Sequence, residues 1–381
     1  MEKHLRSSPP RSEINCETFL FHVSQWVGVS ICLSLFLFFS MDLTSQAQTP
    51  TCTVTPTITP IPGCTPAPTA CATCSPLPTP INAPTPTPIP SSYQPGDGTS
   101  LEWRPYVPTS GGPKWPAVLI LHVGSFKQGI PFVGNIENCA QDLQIAGYYA
   151  LIATYRLAPC GLIKGQTCHD ASHDPNGLSG RPPEQTNDVK ALVQAARADS
   201  HCNGKVGVVG GSSGGAHAVW VALDQTSSTG WPNWTKGKRA DAAVSLSGAY
   251  DFSDRTSENY TPNPLPGFIQ TMENYTNSCD PTYQRGKSPV SLVTSATSDI
   301  KPIFVVNTDQ DPMPFHQIID VQCVLEDAGV NPNLYQVLTV PNSTAHAFEY
   351  WHDWDGIPTV PPNPTRTVAS HVVDFLDAHL K

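Results

Sequence analysis

The sequence predicts an α/β class fold from about residue 93 onward, a mostly parallel sheet flanked by helices on both faces, and three observations predict it. Short apolar runs alternate with helix-like stretches, the signature of strands covered by helices. One run passes through a glycine and serine turn straight into a helical stretch, and no internal repeat interrupts the alternation. The strand candidates are Val118 to His122, Ala150 to Tyr155, Val206 to Gly210, Ala242 to Ser247, Ile303 to Asn307 and Tyr335 to Val340. Between them, Pro183 to Ala198 places Val189, Leu192, Val193 and Ala196 on one helical face, and Phe315 to Ala328 and Thr367 to Leu380 read the same way. At 381 residues there is room for one large domain with accessory segments.

Those segments precede the sheet. Lys3, His4, Arg6 and Arg11 lead into the uncharged apolar run Val27 to Phe39, and Ser45-Gln46-Ala47 supplies the small residues that a signal peptidase prefers. Residues 1–47 therefore read as an export signal cleaved before Gln48, with an uncleaved anchor over Thr18 to Met41 as the alternative. The expected location is outside the cytoplasm, secreted or periplasmic, and membrane-bound only if the segment stays uncleaved. Residues 48–92 are dominated by Pro and Thr, as in Pro84-Thr85-Pro86-Thr87-Pro88, and form an extended spacer that buries no core. Cys52, Cys64, Cys71 and Cys74 lie in it; no second metal pair follows Cys71 and Cys74 at finger spacing, so disulfides are the simpler reading. Cys139, Cys160, Cys168, Cys202, Cys279 and Cys323 in the folded part allow up to three bridges, with Cys160 and Cys168 the best local pair. The formal net charge of -10, with no basic block beyond the N-terminus, leaves no electrostatic footprint for nucleic acid.

Chemistry enters at Gly210-Gly211-Ser212-Ser213-Gly214-Gly215, after the strand Val206 to Val209 and before the helical stretch Ala216 to Leu223. A sharp strand-to-helix turn of this kind exposes a serine for attack, and glycines two residues either side avoid clashes with neighbouring backbone. Two registers satisfy the pattern: Gly210 and Gly214 flank Ser212, while Gly211 and Gly215 flank Ser213. The strand's entry favours Ser212 at the apex, with Ser213 as the alternative nucleophile. If Ser212 attacks, the Ser213 backbone N–H falls where an oxyanion needs a donor.

A serine nucleophile needs a base, and the base an orienting acid, in the order Ser, Asp, His for this architecture. Asp311 follows the strand Ile303 to Asn307, and His346 follows Tyr335 to Val340, so both fall at the sheet edge that carries the serine turn. Asp309 and Asp311 also read as ordinary turn residues, and His316, His352, His371 and His379 are rival bases. Position after the last strand singles out His346. Further oxyanion donors are expected from Val123 and Gly124, in the loop after Val118 to Leu121.

These residues also resemble a family. From about Leu101 to Lys381 the chain is similar to the alpha/beta-hydrolase esterases grouped with hormone-sensitive lipase and with bacterial feruloyl and xylan-side-chain esterases. His122-Val123-Gly124 resembles that family's HGG oxyanion motif, Tyr155-Arg156-Leu157-Ala158-Pro159 its YRLAP segment, Asp311-Pro312-Met313-Pro314 its DPxVP acid loop and Ala345-His346-Ala347-Phe348 its GHxF histidine loop. The resemblance implies an alpha/beta-hydrolase fold and a serine carboxylic-ester hydrolase. Val123 departs from the usual glycine and is expected to narrow the oxyanion loop, and His217 resembles the feruloyl-esterase and formamidase branch. No long helical cap precedes the domain, and Ser253 to Thr297 is the insertion large enough to form a pocket wall, with Tyr260, Phe268, Tyr275 and Tyr283 as candidate contacts.

The expected substrate is a small-molecule or polysaccharide-linked ester of a short-chain or aromatic acid, with no cofactor and no metal. A serine peptidase, an amidase or formamidase on the same fold, and a non-catalytic hydrolase-like binding module are the alternatives. A peptidase of the prolyl-oligopeptidase kind usually adds a propeller for which the chain has no room.

Overall fold

A computed structural model describes residues 91–93, 100–129, 134–158, 180–224, 236–255, 265–294, 300–353 and 366–381. The signal or anchor over 1–47, nearly all of the 48–92 linker, its four cysteines, Cys160, Cys168 and Tyr260 lie outside these residues.

The strands are β1 (Ser91–Tyr93), β2 (Leu101–Tyr106), β3 (Trp115–Leu121), β4 (Tyr149–Ala153), β5 (Cys202–Gly211), β6 (Ala242–Leu246), β7 (Ile303–Thr308) and β8 (Tyr335–Val340). They form one sheet in the order β1-β2-β4-β3-β5-β6-β7-β8. From β4 through β8 every pairing is parallel, while β2 runs antiparallel to β1 and β4. The inner parallel strands are covered on both faces, so they read as apolar runs, as in Pro116-Ala117-Val118-Leu119-Ile120-Leu121.

Alternate residues of each strand enter two separate cores. Leu119, Leu121, Val208, Ala243, Ile303 and Val305 pack with helices α2 (Glu184–Ala198), α3 (Ser213–Leu223) and α6 (His316–Asp327). Val118, Ile120, Val209, Val244, Phe304 and Val306 pack with α1 (Gly134–Ile145) and α7 (Val368–Leu380) on the opposite face. In α1 the apolar stripe is Ile136, Cys139, Ala140 and Leu143, the spacing of a one-sided helix. The predicted two-faced α/β sheet is the one observed.

Two helices, α4 (Leu265–Thr276) and α5 (Pro281–Arg285), come from the insertion between β6 and β7. The six domain cysteines allow up to three bridges, and the structure lowers that limit. Cys139 and Cys202 are buried free thiols, so three bridges do not form; Cys139 serves as a small apolar side chain under the sheet. Cys279 is disulfide-bonded. No helix among the described residues is long and apolar enough to cross a membrane.

Because β3 and β5 to β8 run in parallel, their C-terminal ends share one edge. This edge gathers residues from segments more than a hundred positions apart.

Candidate active site

The turn from β5 into α3 gives the two serines different surroundings. Ser212 has φ 53° and ψ −117°, a left-handed conformation that a residue with a Cβ rarely adopts. Its backbone N–H donates to the Leu246 carbonyl at 2.8 Å, which pins the apex to the end of β6. The flanking glycines are required by close backbone approach. A Cβ on Gly210 would stand 2.1 Å from the Gly214 carbonyl oxygen, and one on Gly214 would stand 2.6 Å from the Leu121 and His122 carbonyl oxygens. Ser212 lines the cavity at the sheet edge. Ser213, at the first position of α3, is 1% exposed and its hydroxyl lies 3.0 Å from the Tyr155 hydroxyl, turned into the protein.

Asp311 and His346 meet at that edge. The His346 Nδ1 lies 2.7 Å from the Asp311 Oδ1. The same oxygen accepts the Met313 N–H at 2.7 Å, and Oδ2 accepts the Ser247 hydroxyl. The Asp311 side chain is fully buried while that of His346 is a quarter exposed, so the imidazole is the solvent-facing member. Glu349 accepts the His346 backbone N–H at 2.9 Å and fixes the loop. With Nδ1 directed at the carboxylate, the neutral tautomer leaves Nε2 as an acceptor. Asp309 plays a separate, structural part, in which its carboxylate accepts the N–H groups of Asn342 and Ser343 at 2.8 and 3.1 Å and closes a turn.

The YRLAP segment buttresses this arrangement. Tyr155 stacks on His122 with ring centroids 4.2 Å apart, and its hydroxyl donates to the His122 carbonyl at 3.0 Å. Arg156 and Asp188 form a buried pair through several hydrogen bonds, the Arg156 N–H included. The Phe126 carbonyl accepts from Ala158 N–H at 2.8 Å and Gln185 Nε2 at 2.6 Å, which holds the loop after β3 in place.

In that loop the expected donors need adjustment. Gly124 has φ 145°, where a Cβ would lie 1.6 Å from the Gln128 carbonyl oxygen, so glycine is obligatory. Ser125 and Phe126 follow with φ 52° and 62°, and these two line the cavity, whereas Val123 and Gly124 do not. The Val123 side chain packs toward the α1 and α7 face instead, close to Gly211. It does not narrow the cavity as its place in the sequence predicts, because the chain turns at Gly124 before it reaches the opening.

The cavity measures about 560 Å³. Ser212, His346, Ser125 and Phe126 form its floor, and α4 supplies the wall through Gly267, Phe268, Thr271 and Met272. Of the predicted aromatic contacts in the insertion, Phe268 lines the cavity. Tyr275 is buried and stacks on Phe126 at 3.9 Å, and Tyr283 points outward, 45% exposed. The rival histidines are occupied elsewhere: His352 bonds Asp142 at 2.6 Å and His371 contacts Arg366 at 3.0 Å, while His379 packs edge-on against Phe375. His217 sits under the floor, its Nε2 2.9 Å from Gln185 Oε1, and burial, aided by nearby His122, lowers its pKa to about 3.

Among the described residues one group has the spacing to hold a cation: Asp254, His316 and Asp320, with ligand atoms within 4.8 Å of one another. None of the three lines the cavity, and the His316 Nδ1 stands 3.1 Å from Asp320, whose hydrogen bond raises the histidine's pKa.

No family model and no curated protein matches this sequence. Several solved structures share its fold. A thermophilic esterase from Thermogutta terrifontis, Est2 with propionate bound, aligns with a TM-score of 0.53 at 16% identity, covering 77% of this chain and 93% of its own. An acetyl ester-xyloside bifunctional hydrolase from Caldicellulosiruptor lactoaceticus aligns with 0.51 at 16%, covering 75% and 90%. A truncated carbohydrate esterase from gut microbiota aligns with 0.52 at 15%, covering 77% and 96%. The fold is that of the alpha/beta hydrolases.

Proposed function

We propose that this protein is a serine carboxylic-ester hydrolase in which Ser212 attacks, His346 is the base and Asp311 orients the base. One observation carries the reading. Ser212, strained at the apex of its turn, and His346, held through Nδ1 by a buried carboxylate, face one cavity.

The reaction follows from these positions. Nε2 of His346 takes the Ser212 hydroxyl proton as Oγ bonds to the ester carbonyl carbon, and Asp311 stabilises the imidazolium. Backbone N–H groups of Ser213 and of Ser125, the first residue of the β3 loop to line the cavity, receive the oxyanion, each donor worth roughly a hundred- to a thousandfold in rate. The intermediate expels the alcohol, which takes the proton from His346. Water then gives a proton to His346 and its oxygen to the acyl group, and Ser212 departs with that proton.

The substrate class is an ester of a short-chain or aromatic acid. The moderate cavity, with Phe126, Phe268, Met272 and Met313 around it, supports this, as do the propionate of Est2 and the acetyl ester and carbohydrate ester activities named for the fold neighbours. The test is a panel of short and long acyl nitrophenyl esters, methyl ferulate, acetylated xylan and peptide anilides, with a fluorophosphonate adduct located by mass spectrometry. Labelling at Ser212 with faster turnover of short or aromatic esters is expected. A preference for long acyl chains would make it a lipase, and cleavage of anilides alone a peptidase or amidase.

A further inference from the structure

The end of β6 holds a residue that the serine, acid and base do not account for. Ser247 is 1% exposed, lies immediately beyond the strand and has φ 54°, a left-handed conformation in a residue that is not glycine. Its backbone N–H donates to the Val306 carbonyl at 2.8 Å, fixing it against β7. Its hydroxyl donates to Asp311 Oδ2, accepts the N–H of Ala347 at 2.9 Å and stands 2.9 Å from the Tyr350 hydroxyl. Ala347 is the residue after His346, and it too is left-handed, with φ 55°.

A single hydroxyl thus ties the acid's free oxygen to the backbone that carries the base. The residue before it, Leu246, accepts the N–H of Ser212. Two consecutive residues at the end of β6 therefore set the nucleophile's backbone on one side and the acid and base on the other. Carboxylates rotate about their terminal torsion unless both oxygens are held. Met313 N–H and His346 both engage Oδ1, and the Ser247 hydroxyl is the contact that engages Oδ2.

We infer that Ser247 is a positioning residue for the acid and base: it fixes the rotation of the Asp311 carboxylate and the distance between Asp311 and the His346 loop. This rests on the proposed serine mechanism. In this left-handed conformation the Ser247 hydroxyl reaches both partners at once.

The experiment compares wild type with Ser247→Ala and Ser247→Gly. Glycine relaxes the left-handed backbone, so it separates the hydroxyl from the strain and is the variant that keeps the native fold if alanine does not. Both are expected to lower kcat about tenfold to a hundredfold, the range for losing a hydrogen bond to a charged group, with KM within about twofold. The low-field proton resonance of the imidazole bonded to Asp311 should shift or broaden. Fluorophosphonate should still label Ser212, slowed by a similar factor. Variants with a native near-UV spectrum, unchanged kcat and an unchanged imidazole resonance would overturn the inference. A wild type that neither hydrolyses esters nor takes the label would instead overturn the proposed function.

Discussion

The floor of the cavity and its wall are built on opposite plans. Five of the seven non-glycine residues with positive φ among those described, Ser125, Phe126, Ser212, Ser247 and Ala347, lie in or beneath the floor. The polar side chains beneath it are buried and engaged by specific partners, as in the contacts around Asp311 and Ser247. The wall is a regular helix, α4, presenting Phe268 and Met272. Strain of this sort costs of order 1–3 kcal/mol per residue and persists only where the surroundings over-determine it. The floor is thus specified by geometry and the wall by volume, so the floor should govern rate and the wall selectivity.

The largest effects should come from the floor. Ser212→Ala removes the attacking oxygen and should lower turnover by several powers of ten, and His346→Ala by a similar amount. Asp311→Asn should cost less, on the order of ten-thousandfold, since it acts through the histidine's orientation and tautomer. Ser213→Ala should cost little, because alanine retains the backbone N–H. Turnover measured on the four variants checks the ranking; an active Ser212→Ala with an inactive Ser213→Ala would move the nucleophile one residue.

A histidine beneath the floor and one outside the cavity lining should respond to pH in opposite directions. Beneath the floor, burial holds His217 neutral, with a pKa lowered from 6.5 to about 3. The unfolded chain takes up that proton below 6.5 and the folded chain does not until about 3. Its contribution is therefore complete above pH 6.5 and lost as pH falls toward 3, by on the order of a few kcal/mol. At the start of α6, His316 has its pKa raised by Asp320, so its contribution is present below 6.5 and lost as pH rises through the raised value. Urea midpoints between pH 4 and 8 should show a shallower acid-side slope in His217→Gln than in wild type. An unaltered slope would remove His217 from the account.

The smallest effects should come from the wall. Phe268→Ala or Met272→Ala enlarges the cavity and should raise the kcat/KM for longer acyl esters relative to short ones by a few-fold to about tenfold. Both side chains are buried, so a loss of stability should accompany the change, which thermal melts would record. A shift in rate without a shift in chain-length ratio would merge the two regions into one.

The same contrast explains which parts of the molecule are legible in the sequence. The inner parallel strands are readable because burial on both faces gives apolar runs, and the half-exposed edge strand β8 is readable too, its predicted bounds matching the observed strand to the residue. β2 is harder to read, since Leu101-Glu102-Trp103-Arg104-Pro105-Tyr106 has proline in its interior. The structure accommodates it because β1 pairs only with Leu101, Glu102 and Trp103, leaving Pro105 beyond its reach. The elbow and the proposed acid and base are legible from strand order. Ser247 does not, because its role depends on a left-handed turn and a contact across a hundred residues that no local pattern encodes. Val123 departs from its expected place for a similar reason, since sequence order does not reveal the reversal at Gly124.

The order of the strands also bears on synthesis. His346 follows the final strand of the sheet, 35 residues after the acid and still farther from the serine. A ribosome-bound chain that has emerged only through β7 carries the elbow without the base that activates the serine. Ester cleavage by the proposed mechanism then begins only once β8 has docked against β7, so the growing chain stays inert toward esters until its sheet is closed.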